Sequence, residues 1–164
     1  MKKKSKHRYL YSFFIKIAVI VAIVFFVYTY LISFYRMDGN NMFPSVRDGD
    51  LCFILKTEKP RKDDIVLWKG DDKVLHLSRI VAVEDQTVVI NDDGLIVDDY
   101  AVAEYIYYET KPSAEVEYPL TISKDSYFAL NDYREDVTDS RMYGEIKREN
   151  IIGKVFFLFR RRGF

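Results

Sequence analysis

The chain has 164 residues, 49% of them hydrophobic, and its 25 basic and 25 acidic side chains give a formal net charge of zero. This length favours one domain, and a weakly acidic main part without a basic patch excludes nucleic acid as an expected partner. The charges are unevenly distributed, because residues 1–16 carry six basic side chains and no acidic one.

The first predicted element is a transmembrane helix. Residues 17–34 contain no charged side chain, and a helix of that length spans about 27 Å, close to the roughly 30 Å hydrocarbon core of a bilayer. The run is longer than the apolar part of a cleavable signal peptide, and no small-x-small pattern follows it. The positive-inside rule places the basic flank in the cytoplasm. We therefore predict a cytoplasmic basic tail over residues 1–10, one transmembrane anchor over residues 11–35 that contacts membrane lipid, and an extracellular domain over residues 36–164.

After the anchor, the sequence pattern changes from helix to strand. Short runs rich in Val, Ile, Phe and Tyr alternate with charged or Gly/Pro/Asp clusters, which is typical of strands and turns. Asn91-Asp92-Asp93-Gly94 predicts a tight hairpin, because Gly tolerates a positive φ. Strands in series favour an all-β sandwich or barrel, and the tyrosine-rich residues 100–118 are interpreted as an insertion or long loop. The predicted strands are residues 51–55, 65–68, 74–83, 87–90, 95–97, 127–130 and 151–159.

The cysteine and histidine content excludes two kinds of site. Cys52 is the single cysteine, and the chain has two histidines, so we expect no internal disulfide and no metal site. We also expect no cofactor. Because its neighbours are apolar, Cys52 is predicted to be an inert packing residue.

Three segments, in order, resemble a known family. Residues 37–46 read Met-Asp-Gly-Asn-Asn-Met-Phe-Pro-Ser-Val, residues 78–81 read Ser-Arg-Ile-Val, and residues 131–134 read Asn-Asp-Tyr-Arg, followed by Asp-Ser-Arg-Met-Tyr-Gly at residues 139–144. They are similar to the patterns Gly-x-Ser-Met-x-Pro-Thr-(Leu/Val), Lys-Arg-(Ile/Val)-(Ile/Val) and Gly-Asp-Asn-Arg…Ser-x-Asp-Ser-Arg-x-x-Gly of the type I signal peptidases, which are membrane-bound Ser/Lys proteases. The resemblance covers roughly residues 10–160 and implies a mainly β fold of antiparallel sheets behind one N-terminal transmembrane helix.

The chain departs from that family at the residues that carry the chemistry. Asn41 stands at the position of the nucleophilic serine, Ser78 at the position of the lysine base, and Val137 at the position of the serine that hydrogen-bonds the lysine. A carboxamide is a poor nucleophile and a neutral hydroxyl is no base, so the proton-transfer chain is lost. Losing one member of such a unit costs on the order of 10⁶ in kcat, and we expect no peptidase activity.

A nucleophilic site could also be rebuilt from His76 acting on Ser78, or from Ser45. His76 and Ser78 share one face of a predicted strand, but residues so spaced lie about 6–7 Å apart, beyond the reach of a general base. We interpret His76 as a partly exposed strand residue and Ser45 as structural.

The resemblance also implies roles for residues around the lost pair. Met42, Phe43 and Pro44 would line a substrate cleft, with ordinary hydrophobic contact as the alternative. A scaffold of ion pairs and hydrogen bonds is implied behind the catalytic positions, with a catalytic acid pair or a solvated charged loop as the alternatives. Its members are Arg79, Asp132, Arg134, Asp139, Ser140 and Arg141. The arginines at 160–162 are interpreted as a solvated tail rather than a lipid contact.

Three functions are compatible with these residues. The first is a non-catalytic assembly factor that holds a secreted protein, because signal-peptidase-like proteins without the Ser/Lys pair are known from pilus clusters of Gram-positive bacteria. That resemblance implies a pilin subunit as partner, with sortase machinery as a further candidate. The second is an active type I signal peptidase that cleaves signal peptides of exported proteins. The third is a relic that contributes only anchoring or structural contacts.

Overall fold

The structure is a computed structural model that describes residues 4–71, 73–102, 106 and 108–160, with side chains from residue 8 onward. Part of the predicted basic tail, residues 1–3, and the arginines at 161 and 162 lie outside the described residues.

The N-terminal helix is long, apolar and exposed along its length. Helix α1 spans Lys4–Phe26 and continues as one π-helical stretch over Val27–Leu31. The part from Arg8 to Leu31 is 24 residues long, which suffices to cross a membrane. The predicted anchor continued to residue 35, but strand β1 (Ile32–Arg36) begins at Ile32. The last apolar residues of the run pair with the next strand instead of continuing the helix, because contacts with distant residues can outweigh the local preference for helix.

A lysine joins this helix to the β domain. The Nζ of Lys56 donates hydrogen bonds to the carbonyl oxygens of Tyr28 (3.2 Å) and Thr29 (3.1 Å), and its main-chain N donates to the carbonyl oxygen of Leu31 (2.9 Å). A cation is favourable at the C-terminal end of a helix, where carbonyl groups lack partners within the helix. The end of the helix is therefore fixed to the strand that precedes Lys56.

Within the described residues, eleven strands form two antiparallel sheets, in agreement with the predicted fold class. The larger sheet has the order β1-β2-β11-β3-β4-β9-β10 and the smaller the order β7-β6-β5-β8. The larger sheet contains β1 (Ile32–Arg36), β2 (Leu51–Leu55), β3 (Ile65–Lys69), β4 (Leu75–Val83), β9 (Ser126–Leu130), β10 (Ile146–Lys147) and β11 (Ile151–Phe159). The smaller contains β5 (Thr87–Asn91), β6 (Gly94–Val97), β7 (Tyr100–Ala101) and β8 (Leu120–Thr121). A short helix α2 (Ser140–Tyr143) and a 3₁₀ turn (Arg148–Asn150) precede β11.

The predicted hairpin joins β5 and β6. Asn91 pairs with Gly94, which has a φ of +98°, and Asn91 Oδ1 accepts a hydrogen bond from the N–H of Asp93 (2.9 Å). Each strand buries alternate residues, so the smaller sheet covers one face of the larger sheet with its apolar side. That shared core contains Val81, Val88, Ile90, Leu95, Val97, Ile122, Phe128 and Leu130.

A second core lies under the segment between β1 and β2. It contains Met37, Met42, Val46, Cys52, Ile54, Leu67 and Leu77. Burial raises the pKa of the Cys52 thiol to about 11, so this cysteine is the inert packing residue that its neighbours predict. The segment over residues 37–46 is thus held against the sheet by its apolar side chains.

An exposed cluster of phenylalanines extends from the end of the helix onto the larger sheet. We call Phe34, Phe53, Phe156 and Phe157 the aromatic face. Phe53 packs edge-to-face against Phe34 (5.0 Å between ring centroids) and Phe157 (5.4 Å), and Tyr28 of the helix stacks on Phe34 at 6.0 Å. The apolar surface of the helix therefore continues onto the domain.

Candidate functional site

The fold brings Asn41 and Ser78 to one acceptor. Asn41 lies in the segment between β1 and β2, and Ser78 lies within β4. The Oδ1 of Asn131, which follows β9, accepts a hydrogen bond from Ser78 Oγ (2.9 Å) and a longer one from Asn41 Nδ2 (3.5 Å). Residues far apart in the chain thus meet at the amide oxygen of Asn131.

Ser78 is fully buried and both partners of its hydroxyl are neutral. Its Oγ donates to Asn131 and accepts a hydrogen bond from Trp68 Nε1 (3.1 Å). Its hydroxyl proton is therefore directed at an amide oxygen and not at His76, whose ring stacks on Trp68 at 4.7 Å between ring centroids. An amide oxygen has no basicity near neutral pH, so these contacts do not activate Ser78 as a nucleophile.

Asn131 is the centre of this network, and its role was missed in the sequence. Its Nδ2 donates to the carbonyl oxygens of Asp136 and Thr138 (3.4 Å each), and its main-chain N donates to Asp139 Oδ2 (2.9 Å). The side chain is fully buried. One signal was available, because Asn131 stands where the matching family pattern has Gly. The neighbouring Val137 exposes 40% of its surface.

A cleft of about 250 Å³ opens beside Asn41. One side is formed by Tyr35 and the residues around Asn41, and the other by residues 74–77 at the start of β4. Asp136 and Thr138, whose carbonyl oxygens bind Asn131, complete the lining. The cleft therefore lies directly beside the network of neutral groups formed by Asn41, Ser78 and Asn131, which we call the neutral network.

The start of β4 offers main-chain groups to this cleft. β9 pairs with β4 from Arg79 to Val83, and within the described residues no strand covers residues 75–77 on that side. The carbonyl oxygen of Leu75 accepts from Tyr35 Oη (3.4 Å), and that of Leu77 accepts from Asn41 Nδ2 (3.3 Å). In a strand, the N–H and C=O of one residue point to the same side, so residues 75 and 77 present an open edge to the cleft.

Of the three expected cleft residues, Met42 lies in the core, and Phe43 and Pro44 lie partly at the surface. Met42 is fully buried and packs with Val46, Cys52 and Leu77. This corrects its expected place in the cleft, because a side chain without exposed surface cannot contact a ligand. Phe43 and Pro44 are half-buried, and the guanidinium of Arg47 lies 5.4 Å from the centroid of the Phe43 ring.

The first part of the scaffold is an ion pair directly after Ser78. Arg79 donates from Nε (2.8 Å) and Nη2 (2.6 Å) to the two carboxylate oxygens of Asp132. The hydrogen bonds that Arg79 donates to Asp132 raise the pKa of its guanidinium above the ordinary value. Arg79 Nη2 also donates to Ser45 Oγ (3.1 Å), so the Ser45 hydroxyl serves the scaffold.

The second part is a buried ion pair at α2. Arg141 donates from Nε (3.0 Å) and Nη2 (2.7 Å) to the carboxylate of Asp139, and from Nη1 to the carbonyl oxygen of Arg134 (2.6 Å). Ser140 Oγ accepts from the N–H of Ala129 (2.9 Å). The carboxylates of Asp132 and Asp139 thus bind internal donors, which argues against a catalytic acid pair and against a solvated loop.

Two peripheral segments contact the scaffold or the segment that carries Asn41. Arg134 Nε donates to Thr110 Oγ1 (2.9 Å) in the tyrosine-rich segment. Arg160 donates from Nε to Asp50 Oδ2 (3.2 Å) and from Nη2 to the carbonyl oxygen of Ser45 (2.9 Å). This corrects the interpretation of residue 160 as part of a solvated tail, because its guanidinium binds partners more than 100 residues away.

The sequence of nearly the whole chain is similar to known proteins. The sequence model of the signal peptidases, peptidase S26, matches residues 10–160. Signal peptidase I T of Bacillus subtilis strain 168 is 30% identical, over 96% of this chain and 88% of that protein. Signal peptidase I of Bacillus licheniformis is 27% identical, over 96% and 92% of the two chains. Signal peptidase IB of Staphylococcus aureus is 28% identical, over 92% and 89%. The crystal structure of a signal peptidase I from Enterococcus faecalis V583 has a similar fold, with a TM-score of 0.50, 22% identity, and coverage of 60% of this chain and 97% of that chain.

Proposed function

The chain belongs to the signal peptidase family, peptidase S26, and we propose that it is a non-catalytic member that holds a secreted protein in its cleft without cutting it. The observation that carries this proposal is the neutral network at the positions of the catalytic pair. Asn41 and Ser78 both donate to Asn131, and a neutral amide cannot take a proton from a hydroxyl near neutral pH.

Binding is supported by the open edge of β4. Leu75 and Leu77 offer main-chain groups to the cleft, and an extended peptide can add to such an edge as a further strand. Exposed apolar side chains lie at its mouth, with Val74 52% and Leu75 37% exposed. An extended segment with small or apolar side chains would satisfy both the hydrogen bonds and the apolar surface.

We propose a pilin subunit, or another secreted protein of a surface polymer, as the occupant, with sortase machinery as a further partner. The support is the resemblance to signal-peptidase-like proteins of pilus clusters that lack the Ser/Lys pair. We also propose that the N-terminus lies in the cytoplasm and the β domain outside the cell membrane. The apolar helix suggests membrane association, and the basic flank supports the orientation.

The second candidate is an active signal peptidase, which the names of the relatives favour. It requires a nucleophile and a base that differ from the Ser/Lys pair. Catalysis and binding therefore make opposite predictions for one cleavage assay.

The cleavage assay uses the full chain in detergent and a signal-peptide substrate. We expect no turnover, because Asn41 and Ser78 replace the reacting groups. Turnover that disappears in Asn41→Ala or Ser78→Ala would favour the active peptidase, whereas turnover that survives both changes indicates a contaminating enzyme.

The binding assay places a photo-crosslinking amino acid at Val74 in cells. We expect a crosslink to a secreted protein. A matched control places the same group at Tyr100 on the smaller sheet, which is 78% exposed but does not line the cleft. Equal crosslinking from both positions, or none from Val74, contradicts binding in the cleft. Met42 is unsuitable as a crosslinking position, because replacing this fully buried side chain would destabilise the core.

A further inference from the structure

We infer that the side chain of Asn131 occupies the space that a lysine side chain at position 78 would need. Positions 78 and 131 thereby form one packing unit, which keeps the site inactive. This inference rests on the proposed non-catalytic function. It predicts that an active pair cannot be restored at positions 41 and 78 alone.

The first support is the burial of both side chains. Ser78 and Asn131 have no exposed surface, and Ser78 Oγ lies 2.9 Å from Asn131 Oδ1. Trp68 closes the other side of the hydroxyl at 3.1 Å. Protein interiors are close-packed, so a larger side chain at position 78 has to displace one of these neighbours.

The second support is the match of volumes. A lysine side chain has three non-hydrogen atoms more than serine, and asparagine has four more than glycine. The family patterns combine Lys with Gly at these two positions, and this chain combines Ser with Asn. Each combination places one large side chain in the space between positions 78 and 131, whereas Lys with Asn would place two there.

The third support is the chemistry of the amide oxygen. Asn131 Oδ1 already accepts from positions 41 and 78, so an amine introduced at position 78 would meet the same acceptor. A hydrogen bond to an acceptor favours the protonated amine, which is no base. Asn131 would therefore oppose a restored lysine by its volume and by its acceptor.

The test is a stability cycle on the full chain in detergent, with Ser78→Lys, Asn131→Gly and the two together. We expect each single change to lower stability strongly. The combined change should lower stability less than the sum of the two single losses, by at least a factor of ten in the unfolding equilibrium constant. Additive effects, or a combination that fails to fold, overturn the inference. A control combines Ser78→Lys with Ile122→Ala, which makes space in the core under the smaller sheet, and should show additive effects.

A cleavage assay supplies a second readout. In the variant Asn41→Ser/Ser78→Lys, the serine oxygen would have to bond to the scissile carbonyl carbon while the lysine takes its proton and passes it to the leaving nitrogen, after which water hydrolyses the ester. We expect this variant to be at least tenfold slower than the same variant with Asn131→Gly added. Equal rates contradict the role of Asn131, whereas cleavage by the unmodified chain would contradict the proposed function and leave the stability cycle unaffected.

Discussion

Two neighbouring regions of the molecule use opposite means to satisfy buried polar groups. Around the two positions that the family pattern gives to its catalytic pair, Ser78, Asn41 and Asn131 form a network of neutral groups. One residue further along β4, Arg79 begins a scaffold of ion pairs, and Arg141 and Asp139 complete it with 1% and 0% side-chain exposure. The scaffold has the residue types of the family pattern, whereas the network does not.

The comparison shows which part of the site the fold depends on. A buried charge that loses its partner costs about 3–5 kcal/mol, whereas a buried neutral group that loses its partner costs about 1–3 kcal/mol. A change in the neutral network should therefore cost the fold less than a change in the charged scaffold.

The largest effect should come from breaking the buried ion pair. We expect Arg141→Met to lower the free energy of unfolding by about 3–5 kcal/mol, because it leaves the Asp139 carboxylate buried without its cation. The measurement is urea unfolding of the full chain in detergent, followed by the fluorescence of Trp68. The control Lys59→Met removes an ion pair whose side chains are 70% and 54% exposed and should change the value by less than about 0.5 kcal/mol. Similar values for both variants would remove the distinction between scaffold and surface.

The neutral network should respond less than the scaffold. We expect Ser78→Ala to cost about 1–3 kcal/mol, because the indole N–H of Trp68 loses its acceptor in the interior. Because this change also alters the surroundings of Trp68, unfolding should be followed by circular dichroism. A loss as large as that of Arg141→Met would show that the fold depends equally on both regions.

The smallest effect should come from a surface pair and should depend on pH. The hydrogen bond from Lys154 Nζ (2.8 Å) lowers the pKa of Glu58. A lowered carboxyl pKa gives stability that is present above the ordinary carboxyl pKa and is lost as the pH falls through the lowered value. The difference in stability between the native chain and Glu58→Gln should therefore be small at pH 7 and vanish in acid. A difference that grows in acid would contradict this sign.

The sequence predicted the strands because short runs rich in Val, Ile, Phe and Tyr lie between charged or Gly/Pro/Asp clusters. The limits of β2 and β11 agree with the prediction, and β3, β4 and β9 differ by one residue at one end. Strand β1 was predicted as helix, since an apolar run does not reveal that β2 offers it a pairing edge. Local patterns report a segment's own periodicity and not its distant partners.

For the candidate site, the sequence suggested which residues to examine but did not reveal their contacts. The family pattern pointed to Asn41 and Ser78, and the structure brings both to Asn131. The sequence marked Asn131 through its departure from the Gly of the family pattern. Met42 reads as a cleft residue in the motif, yet it packs into the core. The bond from Arg160 to Asp50 joins residues 110 positions apart, and no short-range pattern encodes such a contact.

The direct passage from helix to strand sets how near the bilayer the cleft lies. The helix ends at Leu31 and Tyr35, four residues later, lines the cleft, which corresponds to about 13 Å of extended strand. The bond of Lys56 to the helix end holds this geometry. With α1 in the bilayer, a second chain still tethered in the same bilayer would meet the cleft at high effective concentration, whereas a released chain would lose that advantage. The time available for capture would then be the interval before the partner leaves the membrane.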